Sequence, residues 1–170
     1  MPVTHLSNPT FFFTARAAQR GSDVFVREIH ALRQAMRQTR NKHPFDIAEI
    51  VVLGDVIHTL WDLPAGDTDF AIRWRMLKTL FSRSVEKGVW QRRFWEHEIR
   101  DPADLAAHRR MIWAAPVQAG LAKRPEDWPH SSVHRAMSLG QYDTSGARQA
   151  SQATMPMRKP SVAAQLRAVS

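Results

Sequence analysis

The spacing of apolar positions changes several times along the chain, and each change marks an element. Phe11-Phe12-Phe13-Thr14 is a short run of β-favouring residues and predicts a strand. Gly21-Ser22-Asp23 supplies a break and a helix cap. Phe25, Ile29, Leu32 and Met36 follow at spacings of four, three and four, the stripe of an amphipathic helix, with Arg27, Arg33, Arg37 and Arg40 largely off it. Pro44 is expected to stop this helix. Ile47 to Leu53 is a compact apolar run, Gly54-Asp55 suits a turn, and Ile57 to Leu63 reads as the next strand. Two strands joined this closely are most simply antiparallel.

The second half repeats the theme. Pro64-Ala65-Gly66-Asp67 reads as a turn with a helix cap, and Phe70, Trp74, Leu77, Phe81 and Val85 mark a second amphipathic helix. Its other face carries Arg73, Arg75, Lys78 and Arg83. Lys87-Gly88 breaks it, and Val89 to Ile99 is expected to be extended. Asp101-Pro102-Ala103-Asp104 is a strong helix start, with a capping carboxylate, proline at the first helical position and another acid in the first turn. That helix is expected to run to about Ala115, ahead of Pro116. Trp74, Phe81 and Trp128 are assigned to the core.

The order strand, helix, strand, strand, helix, strand, helix predicts an α+β fold, a ferredoxin-like antiparallel sheet packed with helices. After Ser138 the character changes: Ser145 to Ser170 is rich in Ala, Ser, Gln and Arg, without periodicity or aromatic residues. The expected organisation is therefore one domain over 1–138 and a disordered basic tail over 139–170.

Charge adds a partner class. The 170 residues carry 24 Lys+Arg against 16 Asp+Glu, a net charge of +8. Residues 1–72 contribute −1, 73–110 +5, 111–142 +1 and 143–170 +3. This surplus in the middle of the chain favours a polyanionic partner such as nucleic acid or an anionic membrane surface. The absence of cysteine removes disulfides and cysteine–zinc sites, and fits a cytoplasmic protein. Residues 1–13 lack the charged start and long apolar run of a secretory signal, and no stretch approaches about 18 apolar residues, so no membrane association is expected.

Several blocks are specific in combination. Val51-Val52-Leu53-Gly54-Asp55-Val56-Ile57-His58 precedes Trp61, Leu63-Pro64 and Gly66-Asp67. Arg73-Trp74-Arg75 and Lys78 follow, then Trp90-Gln91-Arg92-Arg93-Phe94-Trp95-Glu96-His97. Pro116-Val117, Gly120-Leu121 and Asp127-Trp128-Pro129-His130-Ser131-Ser132 with His134-Arg135 complete the set. Over residues 11–136 these blocks resemble the REP-associated tyrosine transposases, a branch of the insertion-sequence transposase-like HUH single-strand nucleases. The resemblance implies a ferredoxin-like core that binds hairpin or single-stranded DNA near repetitive palindromes. It also implies a tyrosine that attacks a phosphodiester while a His-hydrophobic-His pair holds a divalent metal.

Matched position by position, that chemistry is depleted here. The first histidine position is Val56 and the second is His58, the one metal ligand left. The tyrosine position, set by its spacing to Pro116-Val117 and Gly120, is Met111, and the family's asparagine four residues on is Ala115. The turn proline ahead of the pair is Gly54. Neither a valine nor a thioether does the work these positions require. No resident cofactor is expected, with Mg²⁺ or Mn²⁺ implied only if cutting persists. The sole tyrosine, Tyr142, lies beyond the histidine–arginine block, and His108 stands one helical turn before Met111, within approach of His58.

The binding chemistry stays legible. Arginine and lysine neutralise phosphates, and aromatic rings stack on unpaired bases. The candidate DNA-binding residues are Arg73, Arg75, Lys78, Trp90, Arg92, Arg93, Trp95 and His97. Strand alternation would set Trp90, Arg92 and Phe94 on one face and Gln91, Arg93 and Trp95 on the other. His130 and His134 fit the family block without a role that follows from their chemistry. Three readings stand open: a DNA-binding protein impaired in cleavage, an active metal-dependent nuclease with atypical ligands, and a non-functional decayed copy.

Overall fold

In the computed structural model, residues 8–142 are described, so the sequence beyond 142, including most of the expected tail, lies outside the described residues. The elements run β1 (Thr10–Arg16), α1 (Val24–Arg27), α2 (Ile29–Lys42), β2 (Asp46–Val52), β3 (Val56–Asp62), α3 (Phe70–Ser84), β4 (Trp95–Glu98), α4 (Pro102–Gln118), a 3₁₀ turn (Pro125–Asp127) and α5 (Val133–Ser138). The four strands form one antiparallel sheet in the order β2-β3-β1-β4. The expected α+β class and ferredoxin-like plan are both present.

Alternation along the central strands divides the interior in two. Phe11, Phe13 and Ala15 of β1 and Ile57 and Trp61 of β3 face α2 and α3. There the Trp61 and Trp74 indoles stack at 4.6 Å. Phe12 of β1 and Val56 and Leu60 of β3 face the other way, toward Ile112, Trp113 and Ala115 of α4.

Four local expectations are corrected. The first predicted helix is two helices that meet at Glu28, because α1 swings Phe25 between Phe81 and Trp90 while its backbone N–H is held by Gly54 O. Asp23 does not cap it: Ser22 Oγ accepts from Val24 N, and the Asp23 carboxylate pairs with Arg27. Val89–Ile99 is not one strand. Trp90 forms a lone bridge to Ala17, Arg92 lies in a bend, and β4 begins only at Trp95. Pro116 lies inside α4, which runs on to Gln118 before Gly120 turns the chain with φ of +72°. A proline in a last turn costs one N–H···O bond and no more of the helix.

The sheet edge at β2 is closed by the chain that follows α4. Val52 N donates to His130 O (2.9 Å), Ser132 N to Ile50 O (2.8 Å), and Arg135 reaches the carbonyls of Ile47 and Ala48. Trp128 is half-buried and its Nε1 donates to Val52 O at 2.9 Å. The capping segment thus covers peptide groups that an open edge would offer to another chain. A bulge between Ile47 and Glu49 turns Glu49 toward α4, while Ile47 and Ile50 stay on the α2–α3 side.

Glu49, 2% exposed, ties these parts together. It accepts from Trp113 Nε1 (3.1 Å) and from Ser132 Oγ, with the Arg109 guanidinium at 3.5 Å. Replacing Glu49 with Ala strands the buried Trp113 N–H and the half-buried Ser132 hydroxyl, and we expect a stability loss of about 2–3 kcal/mol. Urea unfolding will show this as a lower midpoint at constant m-value, with Glu49→Gln losing less because one acceptor oxygen remains.

Candidate functional site

The four positions matched to the family's reaction site converge on the α4 face of the sheet. Val56 and His58 project from β3 toward that face, and Met111 and Ala115 lie one turn apart on α4 above it. Val56 and Ala115 are 6% and 7% exposed, and Met111 packs against the same apolar cluster. Phe12, Leu60, Ile112 and Val51 belong to the same apolar cluster.

His58 is held without a charge. It shares a 2.7 Å hydrogen bond between Nδ1 and Thr14 Oγ1, and its ring lies parallel to Phe12 at 6.0 Å. Loss of water around the ring, and then the charge of Arg16, pull its pKa down to about 4. The family's metal therefore finds one imidazole, flanked by a valine and an alanine with no lone pairs to offer. The residues present do not fit that ion.

His108 lies across the Phe12 ring from His58 and is neither solvent-facing nor a capping group. The Phe12 ring stands against both imidazoles, at 4.7 Å from His108. His108 joins His97 instead: their rings stack at 4.8 Å and 18°. Asp104 lies between them, with His97 Nε2 at 2.9 Å and His108 Nδ1 at 3.1 Å from its oxygens. Its carboxyl titrates below the ordinary range: burial opposes this, while hydrogen bonds from His97 and Arg100 N outweigh it. The sequence had shown Asp104 only as a first-turn acid. Its spacing of four to His108 was the available signal for this cluster.

Tyr142 packs edge-on against Trp113 at 5.4 Å, on the indole whose Nε1 binds Glu49. Burial, and then Glu126, push its phenol pKa upward, the wrong direction for a nucleophile.

The candidate DNA-binding residues separate into groups. Arg75, Arg92 and Arg93 are exposed, and Lys78, Arg83, Lys87 and Arg92 help to line an open cleft at the end of α3. Arg73 is a correction: at 3% exposed, it is not on the outer face of α3. Its guanidinium donates to Asp69 O (2.8 Å), Pro44 O (2.7 Å) and Asp67 Oδ2 (2.7 Å), fastening the 64–69 turn to the end of α2. Trp90 is likewise built into the core, 4.7 Å from Phe25 and 5.4 Å from Phe81. Lys78 donates to Gln91 O at 2.9 Å and lies over the Trp90 and Phe94 rings, and partial burial lowers its pKa to about 8. Trp95 is half-buried against the α4-side cluster, opposite Thr14 on β1, and His97 is engaged by Asp104. The bend at Arg92 breaks the expected alternation, so Arg92 and Arg93 are exposed together while Trp90 and Phe94 turn inward.

The His58 environment predicts a pH dependence. An unfolded imidazole titrates near 6.5 and the folded one near about 4, so the unfolded chain takes up the proton first. Stability is expected to fall as pH drops from about 6.5 toward about 4 and to gain nothing from this group above 6.5. Below 3.8 the lowered carboxyls of Asp67 and Asp104 add a further loss. Chemical denaturation across this range should show a flatter curve for His58→Gln; an unchanged slope would assign the effect elsewhere.

No protein-family model matches the chain. The chain is 38% identical to the REP-associated tyrosine transposase of Escherichia coli, over 81% of this chain and 84% of that protein. It is 40% identical to a Haemophilus influenzae protein of the same family name, over 74% of this chain and 80% of that one. Its fold is similar to a solved structure of the REP-associated tyrosine transposase bound to a REP hairpin, with a TM-score of 0.78, 38% identity, and 81% and 84% of the two chains covered. Among the described residues no helix is long and apolar enough to cross a membrane. Likeness of this depth over four-fifths of the chain, together with the shared fold, places the protein in the REP-associated tyrosine transposase family.

Proposed function

We propose that this protein binds hairpin or single-stranded DNA in the cytoplasm and does not cut it by the family's tyrosine chemistry. The likeness to a relative solved with a REP hairpin supports the binding half of this reading. The observation that carries the other half is the apolar filling of the reaction site. Met111, Val56 and Ala115 pack together where a nucleophile and metal ligands would have to meet a phosphate. A thioether has no proton to lose and no charge to offer a phosphorus atom. His58, neutral and bonded to Thr14, supplies one lone pair at most.

The binding surface of this reading is Arg75, Arg83, Arg92 and Arg93, with Lys78 between them. Exposed guanidiniums reach phosphates at little structural cost, and each contact releases counterions, which makes affinity salt-dependent. Arg73 and Trp90 support this surface from below by holding α3 and the 88–94 segment in place.

Three measurements test the reading. In salt titrations on a hairpin-bearing single strand, the double substitution of Arg92 and Arg93 by Ala is expected to weaken binding and reduce the log K–log[salt] slope by about 1.5. Arg73→Ala should lower the melting temperature instead, since its guanidinium is bound internally. Incubation of the same strand with the protein and Mg²⁺ or Mn²⁺ is expected to give no covalent adduct on denaturing gels. Met111→Tyr alone should not restore one, because Val56 and Ala115 still provide no ligand. An adduct with the unaltered protein would overturn the proposal.

A further inference from the structure

We propose that His97, Asp104 and His108 form a divalent transition-metal site of the zinc class, between β4 and the first turns of α4. It is separate from the position where the family's histidine pair would hold an ion, with the Phe12 ring packed against both His58 and His108.

The ligand atoms of the three side chains all lie within 4.8 Å of one another. His97 Nε2 is 2.9 Å from one Asp104 oxygen, and His108 Nδ1 is 3.1 Å from the other. Two donors each about 2.1 Å from a tetrahedral ion stand roughly 3.4 Å apart, so small side-chain shifts suffice to admit one. The scaffold limits larger movements. Asp101 caps α4 through Asp104 N at 2.8 Å with Pro102 behind it, and β4 holds His97 opposite Phe12 of β1. Arg100 N donates to the Asp104 carboxylate at 3.0 Å, the outer contact that orients a ligating carboxylate.

The donor set decides the ion. Two imidazoles and one carboxylate suit Zn²⁺ or Co²⁺, whereas Mg²⁺ and Ca²⁺ prefer oxygen alone. Three protein ligands leave a fourth position for water, the pattern of an open zinc site. His108 Nδ1 lies 2.9 Å from Asp104 O, so binding exchanges that contact for a metal bond.

The test uses the full chain, untagged and stripped with chelator. Titration with Co²⁺ is expected to give the visible bands of a tetrahedral ion at one equivalent, and Zn²⁺ to displace it. His97→Gln, Asp104→Asn and His108→Gln should each weaken Zn²⁺ binding about 100-fold or more, while His58→Gln leaves it unchanged. Asp104→Asn keeps an oxygen for Arg100 N, and His97→Gln lies outside the helix, so far-UV circular dichroism will show at least one folded variant. Absence of one-to-one binding in the unaltered protein would overturn the proposal. So would binding that survives His97→Gln and Asp104→Asn, or binding that disappears with His58→Gln.

Discussion

The antiparallel pairing of β1 with β3, from Thr10 opposite Asp62 to Arg16 opposite Val56, is the constraint on which the molecule rests. Because side chains alternate, this register assigns every residue of two strands to one of two interiors. Phe11, Phe13, Ile57 and Trp61 go to the α2–α3 side, and Phe12, Thr14, Val56 and His58 go to the α4 side. A slip of one residue would put Thr14 and His58 among the tryptophans and send Phe11 and Phe13 to the α4 side. The same register puts Thr14 opposite His58 on one side and Trp95 on the other, which makes the hydrogen bond that holds His58 neutral.

The two interiors are stabilised differently. The α2–α3 side is aromatic, with Phe13, Trp61, Trp74 and Phe94 in mutual ring contact. The α4 side is thinner and is pinned by polar groups at its ends. Glu49 binds Trp113 and Ser132 at one end, and Asp104 gathers His97 and His108 at the other. A buried polar group with all its partners specifies geometry more sharply than apolar contact does. These two anchors set where α4 lies, and so where Met111 and Ala115 fall above the sheet.

Most of this architecture was legible in the sequence because it rests on period: the strand runs, the two amphipathic stripes and the Asp101-Pro102 helix start all mark real elements. What stayed hidden depends on contacts between distant residues. Arg73 reads as surface from helical spacing, yet Pro44 and Asp67 draw it inward. Trp90 reads as a stacking platform, yet Phe25, thrown inward by the break at Glu28, claims its ring. The bulge at Ala48 leaves no mark in composition, though it alone turns Glu49 to the α4 side. At the reaction site the substitutions at Val56, Met111 and Ala115 were visible by alignment to the family's pattern; that they pack together as one apolar cluster was not.

Those three substitutions have a common physical logic. Histidine, tyrosine and asparagine over a sheet face need water, metal or hydrogen-bond partners, and each buried group left without one costs about 1–3 kcal/mol. Valine, methionine and alanine carry no such requirement and add apolar contact to Phe12, Leu60 and Ile112. At Gly54 a Cβ would lie 2.7 Å from Ser22 O, so a proline at this turn would push against the entry to α1. The arginines lie on the opposite helix layer and the adjoining loop, held by Trp90 and Arg73 and independent of the α4-side interior. The sheet thus separates the basic surface from the cluster that holds Val56, Met111 and Ala115.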